Sequence, residues 1–190
     1  PLTPIDETLS TLDDLVHQGK VRYIGCSNMP AWQVAKSQEI SKARGLASFI
    51  SCQDEYSLLA RDIERDLLPA AAEYRLGLLP FFPLAGGMLT GKYQRGAAVP
   101  ADTRFGKAPA LKERYGTPRN EDIVDSLKAF AQARGHTMLE LAFSWLASRP
   151  QVASVIAGAS RPEQLEQNVK AIGWNLSAEE LAEIDRITKG

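Results

Sequence analysis

The stretch SVIAGASRPEQLEQN, residues 154–168, leaves an apolar run at Gly158 and Ala159 and enters a helix through Ser160, Arg161 and Pro162. A helix start exposes unpaired N–H groups and the positive end of the helix dipole, so such a turn offers an anion site. Arg161 adds a full positive charge there. The alternative is structural: Ser160 caps the helix, Glu163 completes a capping box, and Arg161 is merely solvated. A second candidate is GGMLTGKY, residues 86–93, where Gly86, Gly91 and Lys92 fit GxxxxGK behind an apolar strand. Tyr93 stands where a P-loop needs Ser or Thr for magnesium, and QRGAAVPADTR is a poor helix. What stays open is a metal-free Gly/Lys loop that contacts phosphate.

Gln53 lies on an otherwise apolar strand, where a polar side chain costs a few kcal/mol unless its amide finds a partner. That partner is a ligand amide or an internal group, and the physics alone does not choose between them. Ser27 and Asn28 taken singly read as an Asx-type turn before Pro30. Phe81 and Phe82 alternate faces, so one belongs to the core and the other offers a stacking surface. His17 and His136 read as surface residues at helix ends, with no companion carboxylate and no Ser or Cys arranged for a triad.

These residues sit on a regular frame. Thr3 caps a first helix with Pro4 in its first turn and Gly19 at its end, and Ile5, Leu9, Leu12, Leu15 and Val16 form its apolar stripe. VRYIG (21–25) reads as a strand, followed by a helix that Pro30 starts; SFISCQ (48–53) reads as a second strand, followed by a helix near Pro69. LLPFF (78–82) is a third strand, and a long Gly/Pro-bearing loop covers 83–119, of a length that tends to be functional. Helices follow from about Asn120 and from Thr137, the latter with Glu140 in a capping box and a stop at Arg149-Pro150. VASVIA (152–157) is a fourth strand, a helix runs from 161 to about 171, and a last helix is capped by Ser177 with Glu180.

Alternating strands and helices imply parallel pairing through right-handed crossovers. A doubly wound dinucleotide fold would carry GxGxxG after its first strand, and GCSNMP (25–30) is not that. The unusual polar residues cluster instead at the C-terminal ends of strands, as in a TIM barrel, although four strands cannot close one.

Composition narrows the class. The 190 residues are 44% hydrophobic and 24% charged, and 22 Lys and Arg against 23 acids give a net charge of −1, which is globular and lacks the basic stripe of a nucleic-acid surface or an anionic-membrane binder. Cys26 and Cys52 show no metal or disulfide spacing and fit reduced thiols in a cytosolic setting. The reading is cytoplasmic, with neither a signal peptide nor a membrane-length apolar run.

Together, TPIDETLSTLDDLVHQGKVRYIGCSN, FFPLAGGMLTGKY, DTRF and VIAGASRPEQLEQN resemble the aldo-keto reductase family, in order and across residues 1–190. The resemblance implies an α/β fold, a TIM (β/α)8 barrel of which this chain holds strands five to eight, as the C-terminal half of one barrel domain. It implies reduction of small-molecule aldehydes or ketones with NAD(P)H, usually NADPH. Ser27, Asn28 and Gln53 would hold the nicotinamide carboxamide, and Phe81 would stack on the ring in place of the Tyr or Trp of many members. Pro83, Leu84, Ala85, Lys92 and Arg104 would line the pyrophosphate, the 83–119 loop covering the cofactor. Gly158, Ser160, Arg161, Gln164 and Asn168 would hold the adenosine and its 2′-phosphate. No block resembles the segments that carry the family's catalytic Asp, Tyr, Lys and His, so no catalytic residue is assigned and no metal is expected. The expected partners are the missing N-terminal half or a second copy of the chain. The alternative is a non-catalytic half-barrel module for cofactor binding or subunit interaction.

Overall fold

A computed structural model describes residues 3–189 and divides the chain into two compact units, each described by itself. The first comprises residues up to 55, 62–80 and 151–154; the second comprises 56–61, 81–150 and 155 onward.

The first unit is α/β. Helix α1 (Ile5–His17) precedes strand β1 (Ile24–Ser27), α2 (Ala31–Arg44), β2 (Phe49–Gln53), α3 (Leu67–Glu73) and β3 (Gly77–Leu78). The three strands form one parallel sheet in the order β1-β2-β3, as the alternation of strands and helices requires. Pro4 sits at the cap position of α1, and Pro30 precedes α2, which Gly45 ends in the left-handed region at φ 67°. Leu9 of α1 and Val34 of α2 are fully buried, as are Cys52 and Leu78 of the sheet. Two buried polar groups fix the register of the pieces. The Asp13 carboxylate accepts the Ala47 N–H at 2.7 Å, and the Gln38 amide brackets Phe49, accepting its N–H at 3.1 Å and donating to its carbonyl at 2.9 Å. Paired in this way, their burial carries no unsatisfied cost.

Two expected strands are shorter than the sequence suggests, for one reason. Leu78 N–H donates to Gln151 O at 2.7 Å and Ala153 N–H donates to Leu78 O at 2.9 Å, a single parallel rung at Leu78 and Val152. The next rung would need an N–H at Pro80, which has none. The strand expected over 78–82 therefore stops at Leu78, and the one expected over 152–157 remains one bridge. β1 also lies three residues later than the VRYIG run.

The second unit is helical: α4 (Arg104–Lys107), α5 (Pro109–Tyr115), α6 (Pro118–Gln132), α7 (Met138–Ala147), α8 (Pro162–Lys170) and α9 (Ala178–Lys189). The 83–119 segment is not a plain loop, because it holds a 3-10 stretch over Ala85–Thr90 as well as α4 and α5. Gly86 at φ 68° and Gly87 at φ 98° kink that stretch, and a Cβ on Gly86 would lie 2.8 Å from the Phe105 ring. The core of this unit includes Tyr56, Leu89, Leu127, Leu141, Phe143, Trp145, Leu146 and Ile184. Trp145 is flanked by Tyr56 at 5.0 Å and by the guanidiniums of Arg61 and Arg149 at 4.9 and 4.3 Å. Arg61 is in turn bound to Asp185 of α9 at 2.7 Å.

The capping box of Thr137 with Glu140 is present, as is that of Ser177 with Glu180. The box that the structural alternative placed at Ser160 with Glu163 is not. Arg161 is the extended cap residue and Pro162 the first helical one, so Ser160 lies outside the helix and binds Gln164 instead. Both histidines do have a carboxylate four residues away, contrary to the expectation: His17 Nδ1 is 3.2 Å from Asp13, and His136 Nδ1 is 3.7 Å from Glu140.

Candidate cofactor site

In the first unit, the C-terminal ends of β1 and β2 bring Ser27, Asn28 and Gln53 together. Register pairs Ser27 with Gln53, and Ser27 Oγ donates to the Gln53 carbonyl at 2.8 Å. Asn28 adopts φ 54°, a left-handed turn that Asn tolerates. Its backbone N–H reaches Gln53 O at 3.3 Å, and its Nδ2 donates to Ser27 Oγ at 2.8 Å. The turn is thus tied across two strands and is more than a local Asx turn. The Gln53 side-chain amide has no hydrogen-bond partner among the described residues and is half-buried, which leaves a donor and an acceptor open at the strand end. Asn28 Oδ1 likewise has no partner among the described residues.

The residue that follows Gln53 is also unusual. Asp54 is only 6% exposed, and its Oδ2 has no partner among the described residues. Burial pushes its carboxyl up to about 6, opposed by the Asn28 backbone N–H. The neighbouring thiols of Cys26 and Cys52 are pushed up to about 11 and about 12, by burial first and then by the Asp54 charge, which keeps them neutral and unreactive at physiological pH. The sequence did carry a signal: strand alternation places Asp54 on the side of the fully buried Cys52.

In the second unit, Phe81 is half-buried and stacks edge-on against Phe82 at 5.5 Å, while the Arg104 guanidinium lies 5.6 Å over the Phe82 ring. Phe82 and Ala85 both have positive φ, at 50° and 46°. Pro83 and Ala85 are buried and Leu84 is half-buried, so these three present backbone more than side chain. Lys92 is exposed, with Nζ 5.1 Å over the Tyr93 ring. Tyr93 stacks on Phe105 at 4.4 Å, and its hydroxyl accepts the Phe105 N–H at 3.1 Å. It has a packing role, which accounts for a Tyr where a P-loop would have Ser or Thr.

At the start of α8, Ser160 donates through N–H and Oγ to Gln164 Oε1 at 2.8 and 3.1 Å. Arg161 is exposed, and its guanidinium has no partner among the described residues. Nothing lies within 4 Å of a Cβ built on Gly158, and Asn168 is half-buried one turn beyond Gln164. This helix start combines, among the described residues, an unpaired cation with an open approach, which is chemistry that fits an anion, although the Ser160 N–H is taken by Gln164, the Gln164 N–H by the Arg161 carbonyl, and Pro162 has none. Among the described residues, no three His, Cys, Asp or Glu side chains are grouped to hold a metal. No helix there is long and apolar enough to cross a membrane.

Residues 1–189 match the family model described as the Aldo/keto reductase family. The chain is 38% identical over 178 residues to a "Probable voltage-gated potassium channel subunit beta" of Arabidopsis thaliana, covering 90% of this chain and 52% of the relative. It is 38% identical over 190 residues to an L-glyceraldehyde 3-phosphate reductase of Escherichia coli O157:H7, covering 97% and 54%. It is 29% identical over 179 residues to the versiconal hemiacetal acetate reductase of Aspergillus parasiticus, covering 94% and 52%. The chain spans about half the length of these curated relatives.

Proposed function

The chain belongs to the aldo/keto reductase family, and on that premise we propose that it carries the NADP(H)-binding residues of a reductase that converts a small aldehyde or ketone to an alcohol. The bound nicotinamide supplies hydride. In the first unit, the open Gln53 amide and Asn28 Oδ1 are the groups that would hold its carboxamide, with Ser27 fixing both strand ends. In the second, Phe81 offers a ring face, while Lys92, Arg104 and the backbone of Pro83, Leu84 and Ala85 would receive the pyrophosphate. The observation that carries the reading is Arg161, whose guanidinium has no partner among the described residues, at the start of α8 beside Ser160 and Gln164. A charge-assisted bond from it to a 2′-phosphate, worth roughly 1.5–3 kcal/mol, favours NADPH over NADH. Arg161→Ala is expected to erode that preference about tenfold. Unchanged NADPH affinity in the variant would overturn the assignment.

The fold proposed for the complete protein is the family's (β/α)8 barrel, with this chain supplying strands five to eight and no catalytic acid, in a cytoplasmic setting. The rest of the barrel, or a second copy, would cover the apolar side chains that this chain leaves open: Leu165 and Val169 on α8 and Ile172 just after it are 56%, 66% and 51% exposed. A second reading, a module that binds cofactor or a subunit without turnover, is favoured by the relative named as a potassium channel subunit. An NADPH-oxidation assay with a reactive aldehyde separates the two when it is run on the complete barrel. The 190-residue chain alone is expected to be inactive, because loss of a general acid typically costs about 10²–10⁴ in rate.

A further inference from the structure

Lys92 and Arg104 are exposed, and neither side chain has an acidic partner among the described residues. Both are tied to Tyr93, the residue that departs from the P-loop pattern. The Lys92 ammonium lies 5.1 Å over the Tyr93 ring. The same ring stacks on Phe105, the neighbour of Arg104, with centroids 4.4 Å apart and planes 6° off parallel. The Tyr93 hydroxyl accepts the Phe105 N–H at 3.1 Å, and that N–H belongs to the peptide group directly after Arg104. A helix start leaves such N–H groups without an internal acceptor; in α4 the Thr103 hydroxyl takes that of Gly106, and Tyr93 takes that of Phe105. We propose that Tyr93 is a positioning residue for a diphosphate: its ring restrains the Lys92 ammonium and, with its hydroxyl, fixes the start of α4, so that Lys92 and Arg104 meet the phosphoryl oxygens already placed.

Two glycines admit this arrangement. A Cβ on Gly86 would stand 2.8 Å from the Phe105 ring, and one on Gly87 would stand 2.9 Å from Lys92 Cε and 3.6 Å from the Tyr93 ring. Both residues have positive φ, so glycine suits each on conformation as well as on space. A lysine stem is flexible, and an ammonium that the ligand must capture from solution loses conformational entropy on binding. Restraint before the ligand arrives lowers that cost. The Arg104 guanidinium is restrained separately, 5.6 Å over the Phe82 ring, and the fixed helix start sets where its stem begins. A tyrosine that served packing alone would change stability and leave diphosphate affinity untouched in every variant that folds.

The proposal rests on Lys92 and Arg104 receiving the pyrophosphate of the cofactor, and the experiment keeps the two readings apart. NADP⁺ and adenosine 2′-phosphate, which lacks the diphosphate, are titrated into the chain, into Tyr93→Phe and into Tyr93→Leu. Tyr93→Leu is expected to bind NADP⁺ about fivefold more weakly than the wild type, and Tyr93→Phe, which keeps the ring, within about twofold. Adenosine 2′-phosphate should bind all three alike. If Tyr93→Leu binds NADP⁺ as tightly as the wild type, or loses both ligands equally, the role of Tyr93 is overturned and the cofactor reading stands. If neither nucleotide binds the wild type, the cofactor reading fails, and inorganic pyrophosphate decides for Tyr93: weaker binding by Tyr93→Leu supports the proposal, and equal binding or none overturns it. Should Tyr93→Leu not fold, the Lys92 ε-methylene protons of the wild type decide by NMR. Upfield ring-current positions that move on adding pyrophosphate support the proposal; ordinary positions, or positions that pyrophosphate leaves in place, overturn it.

Discussion

A carboxyl group whose surroundings disfavour its charge leaves a trace in the pH dependence of folding. Asp54 ionises at about 6 in the fold against an ordinary 3.8. Between roughly pH 4 and 6 the folded chain therefore holds a proton that the unfolded chain has released, and stability falls as pH rises through that window. A rise of this size corresponds to on the order of 2–3 kcal/mol, so Asp54→Asn is expected to flatten the slope and to raise stability at pH 7.5 by about 1–2 kcal/mol. Urea unfolding at several pH values checks this; an unchanged slope in the variant would refute it. His17 and Asp13 teach a related lesson. Their four-residue spacing was visible in the sequence, yet only the fold shows that Asp13 is committed to the Ala47 N–H. Gln53 was legible as an anomaly on an apolar strand; what the sequence could not say was that its amide lacks an internal partner, because that depends on register with β1.

Elements were readable where the signal is local and lost where pairing decides. The Thr137–Glu140 capping box depends only on four consecutive residues, and it forms as expected. Thr137→Ala should destabilise the chain by about 1 kcal/mol, measured by denaturant midpoint, and no change would show that α7 is held by packing alone. At α8 a Ser160–Glu163 box fits the same four-residue rule but does not form: Pro162 in the first turn moves the cap to Arg161 and leaves Ser160 to Gln164. Strand lengths failed for a non-local reason, since Pro80 ends a ladder whose partner lies more than 70 residues away at Ala153. In the kinked segment after Phe82, Gly86 combines φ 68° with a Phe105 ring 2.8 Å from where a Cβ would stand. Gly86→Ala should therefore cost about 1–3 kcal/mol, read as a lowered melting temperature; a neutral result would mean that the Phe105 ring yields freely.

For the whole molecule, exposed apolar side chains and cofactor recognition set the expectations. Tyr23, Trp32 and Ile50 of the first unit are exposed, as are Leu165 and Val169 on α8 of the second and Ile172 just after it. Open apolar faces of this kind favour association. Sedimentation of the chain at about 10 μM should show dimers or larger species, and replacing Leu165 and Val169 together with Glu should shift them toward monomer. A wild-type monomer would remove the argument for a covering partner. The central claim, that the chain carries NADP(H)-binding residues, is tested most directly by calorimetric titration with NADP⁺ and NAD⁺ side by side. One site per chain is expected, with NADP⁺ bound about tenfold or more tightly than NAD⁺. Equal affinities, or binding of neither nucleotide, would contradict it.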